Sequence, residues 1–232
     1  MVVFLSNLNA QDEGSNIVFN RFYVGVKAGY GTVDFESTDL SIKDFAERTY
    51  LNLSYGIVAG FKITGKLSVQ AEGSYAQYSA NKILYDHIYS ENNPLLASYS
   101  SSSTIDHIDM DLFYVDIPVI LRYSLSDNDF APYVYAGANW AINMTGYTTI
   151  VRAITDFQGT IYREFNDDIT AQIQYNEIAP IVGAGLSLNI GRFSVFGDAR
   201  IKYGLMNLSN VQNSLGFTNN ALWLSAGLTF SF

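Results

Sequence analysis

The feature that most constrains this chain is a two-residue repeat of apolar and polar side chains along most of its length. The repeat is clearest between residues 51 and 63, where one face would carry Leu51, Leu53, Tyr55, Ile57, Ala59, Phe61 and Ile63. Successive side chains of a β-strand point to opposite faces, whereas a helix repeats every 3.6 residues. The pattern therefore predicts a strand with one apolar face.

Seven further segments show the same alternation, which gives eight predicted strands. The eight predicted strands are 22–31, 51–63, 67–75, 113–122, 133–143, 177–189, 193–203 and 222–232. Most are longer than the five or six residues usual for a strand in a soluble sheet. We expect an all-β fold in which these strands form a single antiparallel barrel.

The predicted connections alternate between short and long. Short turns lie at 64–66, 124–130 and 191–192, and long polar segments lie at about 36–49, 79–111, 145–172 and 206–220. Short turns at one end and long loops at the other are typical of outer-membrane barrels. We interpret the long segments as extracellular loops. An even strand number then places both termini in the periplasm.

A soluble barrel of lipocalin type would show the same period with its apolar face inward. Glycines on the polar faces favour a narrow interior instead: Gly25, Gly29, Gly31, Gly56, Gly60, Gly137, Gly183, Gly185 and Gly227. The polar faces also carry few charges of both signs, which favours pairing inside a lumen: Lys27, Lys62, Arg122, Arg200, Lys202, Glu72, Asp116, Glu177 and Asp198.

Aromatic residues near the strand ends suit the two interfacial girdles of a membrane barrel: Phe22, Tyr75, Phe113, Tyr123, Trp140, Phe193, Tyr203 and Phe230. Residues 21–232 are thus predicted to form an eight-stranded antiparallel up-and-down transmembrane β-barrel in the bacterial outer membrane. Its lumen should be filled by its own side chains, so that it conducts ions poorly.

The N-terminal residues 1–11 are apolar and then give way to polar Asp12 and Glu13. We interpret 1–11 as the remnant of a secretory signal peptide and 12–20 as a flexible segment. An ordinary flexible terminus is the alternative. At the other end, the last strand finishes on Phe232, a signal for which the barrel-assembly machinery is the expected partner.

Composition narrows the function. The chain has no cysteine and a net charge of −9, which argues against thiolate chemistry and nucleic-acid binding. Both histidines, His87 and His107, fall in the second long segment, and His107 lies among Asp106, Asp109 and Asp111. A rim-located hydrolase with His107 as base, or a cation site on the three carboxylates, is the chemical alternative. No residue is assigned as catalytic, cofactor-binding or metal-binding, and no cofactor is expected.

The long segments also combine aromatic with small polar residues: Tyr85, Tyr89, Tyr99, Tyr147, Phe157, Tyr162 and Phe165. Such surfaces bind partners adaptably, and long loops usually have a role. We expect envelope proteins to bind these loops or the periplasmic turns, with outer-membrane lipid around the barrel.

Four stretches resemble the PorT-like outer-membrane β-barrel proteins of the Bacteroidota, a group with OmpA/OmpX-like barrels. They are "YVDIPVILRYSL" (114–125), "APYVYAGANW" (131–140), "IVGAGLSL" (181–188) and "FGDARIKYGLMNLS" (196–209), and "FYVGVKAGYG" (22–31) is similar to the first strand. The resemblance implies a non-enzymatic accessory or structural subunit of an envelope complex, with type IX protein secretion and gliding as the candidate process. A small porin-like channel and a surface adhesin are the alternatives.

Overall fold

A computed structural model describes residues 21–37, 48–49, 51–81, 103–156, 159–211 and 216–232. It contains ten β-strands: β1 (Phe22–Ser37), β2 (Arg48–Thr49), β3 (Asn52–Lys62), β4 (Leu67–Asn81), β5 (Ser103–Ser124), β6 (Phe130–Asp156), β7 (Gly159–Asp168), β8 (Asn176–Ile190), β9 (Phe193–Lys202) and β10 (Phe217–Ser231). A short 3₁₀ helix spans Thr170–Gln172. Among the described residues, no helix is long and apolar enough to cross a membrane.

Eight of these strands form a closed antiparallel ring in the order β1, β3, β4, β5, β6, β8, β9 and β10. The ring closes where β10 pairs with β1, from Tyr23↔Ser231 to Ser37↔Phe217. The backbone N–H of Phe232 extends this ladder by donating to the carbonyl oxygen of Phe22 at 3.0 Å. The predicted eight-stranded barrel is therefore confirmed.

Two strands lie outside the ring and lengthen its wall. Within the described part of the chain, β2 pairs with β4, and β7 pairs antiparallel with β6 from Tyr147↔Asp168 to Asp156↔Gly159. Strands β5 and β6 also continue well beyond their predicted bounds, since they pair out to Ser103 and Ile154. The described part of the segment 79–111 and most of the segment 145–172 are therefore strand and not irregular loop.

The strand faces follow the predicted alternation. On β1, Val24 and Val26 are exposed, while Tyr23 and Lys27, which flank them in the sequence, are buried in the lumen. The exposed apolar side chains form a belt around the ring. The row from Phe193 to Tyr203 spans about 26 Å at a rise of about 3.4 Å per residue and a tilt of about 40°. That height matches the apolar band of an outer-membrane barrel, about 25 Å.

Aromatic rings mark both edges of this belt, as predicted. At the short-turn edge, the rings of Phe22 and Phe61 lie 4.9 Å apart, and Phe193 and Phe230 lie 5.1 Å apart. At the opposite edge, Tyr75 packs between Tyr55 and Phe113. Tyrosine is favourable at a bilayer interface because it combines an apolar ring with a polar hydroxyl group, and the Phe rings add apolar area at the edge of the belt.

Glycines inside the ring give space to aromatic side chains that cross the lumen. A Cβ atom at each glycine would overlap the ring that covers it: Tyr23 over Gly60, Tyr135 over Gly183, Tyr133 over Gly185, Phe196 over Gly227 and Trp223 over Gly31. The lumen of an eight-stranded barrel is just wide enough for its own side chains to fill it. Glycine opposite each ring is therefore a steric requirement.

Substituting one of these glycines should destabilise the barrel. For Gly183→Ala we expect a loss of about 1–3 kcal/mol in the free energy of unfolding, because Tyr135 must shift and the carbonyl oxygen of Ala199 blocks the added methyl. The matched control is Gly73→Ala on the outer face, where the nearest atom would lie 3.8 Å away. Urea unfolding of both variants in detergent measures the difference, and equal stabilities would contradict this packing.

Candidate functional site

A band of paired charges crosses the middle of the lumen. The carboxylate of Glu72 on β4 accepts two hydrogen bonds from the guanidinium of Arg200 on β9, at 2.6 and 2.9 Å. It also accepts one from the Nζ of Lys27 on β1 at 2.9 Å. All three side chains are buried. Because the pairs join strands far apart around the ring, they brace the barrel across its interior.

The same band continues through hydroxyl groups. The Nε of Arg200 donates to the Oη of Tyr135 at 3.1 Å, and that hydroxyl donates to Asp198 at 3.0 Å. Asp116 accepts from the Oη of Tyr78 at 2.6 Å and from the side-chain amide of Asn139 at 2.9 Å. Each buried carboxylate therefore has a donor that offsets the loss of hydration.

A second ion pair lies nearer the long-loop end. The Nζ of Lys202 donates to the Oε2 of Glu177 at 2.7 Å, and the amide of Asn219 donates to the same oxygen at 3.2 Å. The ammonium of Lys202 also lies 4.5 Å from the ring centre of Tyr78. The predicted pairing of lumenal charges is thus confirmed for Lys27, Glu72, Arg200, Lys202 and Glu177.

Apolar side chains close the lumen above the charged band. The cluster is drawn from β1, β4, β5, β6 and β10 and from the segments after β7 and β9: Val33, Phe35, Tyr78, Ile108, Met110, Leu112, Tyr114, Ile150, Ile169, Ile173, Leu208, Phe217 and Trp223. Ile173 forms a β-bridge with Ser209, which holds two connecting segments across the opening. We call this group the apolar plug.

Little free space remains at the level of the charged band. The cavity bounded by Lys27, Asp116, Arg200 and Trp223 has a volume of about 20 Å³, room for about one water molecule. A hydrated ion needs a continuous polar path, and the apolar plug interrupts such a path. The arrangement can brace the fold but offers no passage through its centre.

The carboxylates near His107 that the structure describes lie along one strand, β5. Asp106 lies at a register shift of β5, and Asp109 and Asp111 lie opposite Thr149 and Tyr147 on the same strand pair. Asp111 accepts a hydrogen bond from the hydroxyl of Ser79. His87 and the side chain of His107 lie outside the described part of the chain. Within that part, no three His, Asp or Glu side chains are placed to hold a metal ion.

The apolar plug is the feature that the sequence analysis missed. Ile169 and Leu208 fall in segments expected to be polar loops and Ile173 directly follows one of them, yet all three are buried. A signal was present, since each is a single apolar residue within a polar stretch. Nothing local to the sequence indicates that residues 169–173 and 208 meet across the opening of a barrel.

The charged band gives a prediction about stability. Glu72→Gln should cost about 3–5 kcal/mol of unfolding free energy, because Lys27 and Arg200 stay buried without their carboxylate. The control is Lys66→Gln, which breaks the exposed pair with Asp127 and should cost about 0–1 kcal/mol. Urea unfolding of refolded protein in detergent provides both values. A Glu72→Gln variant as stable as the control would show that the band is energetically neutral.

Residues 9–210 match the family described as outer membrane protein beta-barrel domain. Among curated protein sequences, none matches the chain.

The solved structures that are similar to it include the following three. Neisserial surface protein A has 17% identity and a TM-score of 0.47, over 91% of this chain and 97% of that one. Ail of Yersinia pestis has 16% and 0.37, over 90% and 99%. The outer membrane protease OmpT of Escherichia coli has 9% and 0.41, over 95% and 99%. The family match, which spans most of the sequence, shows that the chain belongs to the outer membrane β-barrel family and resides in the bacterial outer membrane.

Proposed function

We infer that this chain is a non-enzymatic outer-membrane barrel that acts as an accessory or structural subunit of an envelope complex. The observation that carries this inference is the closed interior. Paired charges fill the middle of the lumen, and the apolar plug covers it at the long-loop end. A barrel that offers no passage and gathers no catalytic cluster within its described residues serves best as a scaffold that presents surfaces to other molecules.

The surface that favours a protein partner is formed by residues 103–112 of β5, residues 144–156 of β6 and the whole of β7. We call it the sheet extension. Ile161 and Tyr162 on β7 are more than half exposed. Among the described residues, β7 pairs with β6 alone, and no other described strand covers its outer edge. An exposed strand edge with apolar side chains is a template for pairing with a strand of another protein.

The PorT-like stretches favour the machinery of type IX protein secretion and gliding as the envelope complex. The proposal predicts that a strain lacking this chain exports protein cargo poorly and spreads poorly on a surface. A photo-reactive residue in place of Tyr162 should cross-link to another envelope protein, because this side chain is 62% exposed on the sheet extension. The same residue in place of Ile57, which is 66% exposed on the apolar belt, is the control and should contact lipid alone.

Tyr162→Asp should then reduce cargo export while leaving the barrel folded and heat-modifiable in gels. Normal export and spreading in the strain that lacks the chain would exclude the secretion role. Equal protein cross-linking at positions 162 and 57 would exclude the sheet extension as the contact surface.

A small porin-like channel, a surface adhesin and a rim hydrolase are the other functions to be separated. Planar-bilayer recording tests the channel function, which would give steady single-channel currents. Binding of whole bacteria to host cells or matrix, with and without the sheet extension, separates the adhesin. Protease and lipid-hydrolysis assays on purified protein separate the enzyme, whose base would be His107.

The end of β10 is also a proposed contact, with the barrel-assembly machinery. Deleting Phe232 should lower the amount of barrel inserted in cells several-fold and lower the unfolding free energy of refolded protein far less. The residue contributes one backbone hydrogen bond and a ring contact with Phe22 at the edge of the belt. Quantitative blotting of outer membranes and urea unfolding measure the two effects. Normal insertion would show that Phe232 is not a recognition element.

A further inference from the structure

The short-turn end of the barrel contains a cavity of about 340 Å³ that opens toward the periplasm. Hydroxyl and amide side chains dominate its wall, including Ser68, Ser124, Ser187, Asn189, Ser194 and Thr229. Above it, the hydroxyl of Tyr23 donates to the Oε1 of Gln70 at 2.9 Å, and Gln70 separates the cavity from Glu72. We call this cavity the periplasmic cup. It is large enough for a small organic ligand.

Two cations of the cup have no carboxylate partner among the described residues. Glu72 is already shared by Lys27 and Arg200, and the remaining cup lysine, Lys66, pairs with Asp127 at 3.2 Å. Lys62 and Arg122 both line the cup, and neither forms an ion pair within the described part of the chain. This contrasts with the central band, where Lys27, Arg200 and Lys202 each contact a carboxylate.

Arg122 is held in place without its charge being neutralised. Its guanidinium carbon lies 3.6 Å from the ring centre of Tyr133, so the planar group is stacked on the aromatic face. Stacking uses the flat face of a guanidinium and leaves the N–H groups at its edge available for oxygen acceptors. Lys62 lines the same cavity, so two positive charges face it. An anion between them would attract both.

The short-turn end of the molecule carries a net charge of opposite sign to that of the whole chain. The net charge of the chain is −9. The turns and strand ends around the cup carry five basic side chains, Arg21, Lys62, Lys66, Arg122 and Arg192, against two acidic ones, Asp127 and Asp129. Five minus two leaves +3. Such a concentration of positive charge around a recess raises the local concentration of anions.

We propose that the periplasmic cup binds the phosphate group of a small hydroxylated solute, with Arg122 and Lys62 as its two cationic contacts. A phosphate monoester carries about −1.5 to −2 charges near neutral pH, which matches two unpaired cations. The serine, threonine and asparagine wall supplies hydrogen-bonding groups for the hydroxyls of the solute. The ring of strands is closed on all sides, so a phosphate of the surrounding lipid has no lateral route to the cup. The proposal is independent of the function inferred above.

The test uses the purified full chain in maltoside micelles and isothermal titration calorimetry. Inorganic phosphate and glucose 1-phosphate are the probes, and glucose and a short-chain phosphatidylglycerol are the comparisons. We expect both phosphate probes to bind at pH 8, glucose not to bind, and the lipid not to compete. At pH 5 the affinity should fall, because the phosphate becomes a monoanion while lysine and arginine keep their charge.

Arg122→Gln and Lys62→Gln should each weaken binding of glucose 1-phosphate at least tenfold. Arg192→Gln removes the same charge from a turn outside the cup wall and should change the affinity less than twofold. Heat-modifiable migration in gels verifies that each variant is folded, and Lys62→Gln serves if Arg122→Gln fails this check. Absence of binding by both phosphate probes, an equal loss in the Arg192 control, or full competition by the lipid would overturn the proposal.

Discussion

The pairing of β10 with β1 is the interaction on which the rest of the structure depends. In the hydrocarbon core of a membrane, no water is available for unpaired backbone groups, so an open sheet edge costs several kcal/mol for each group. Closing the ring between Tyr23 and Ser37 on one strand and Phe217 and Ser231 on the other removes both edges together. The exposed apolar belt then becomes a stable surface because lipid, and not water, surrounds it.

Closure with eight strands also fixes how wide the interior is, and the interior explains the composition of the polar faces. Large rings such as Tyr135 fit only because Gly183 lies beneath them. In the middle of the lumen each charge is paired, and Glu72 with Arg200 and Lys27 is the central group. Sterics and desolvation thus act together, since a narrow lumen excludes the water that would otherwise hydrate an unpaired charge.

The two ends of the lumen differ in chemistry. Toward the long-loop end, the apolar plug seals the barrel, and Ile169 and Ile173 reach it from a segment that crosses the opening. Toward the short turns, the periplasmic cup is open, polar and positively charged through Lys62 and Arg122. A barrel closed at one end and open at the other is suited to presenting surfaces on two sides of the membrane, not to connecting them. Scaffold and ligand-binding roles are compatible with this geometry, whereas conduction requires both ends open.

The alternation of residues determined the fold class, the number of strands in the ring and the outward face of each strand, because strand periodicity and membrane solvation are local properties. It also determined which charges enter the lumen, since Lys27, Glu72 and Arg200 occupy polar positions of three separate strands. The partner of each charge was not determined, because pairing depends on the stagger of strands around the ring. The extension of β5, β6 and β7 was not predicted for a similar reason. On β5, Ile108, Met110 and Leu112 alternate with Asp109 and Asp111, but this stretch was taken for an acidic loop. Strand β7 is exposed along almost its whole length, so only its pairing with β6 shows that it is part of the sheet. The plug and the cup were decided by tertiary structure alone, since each is made of residues from many strands that meet only when the ring closes.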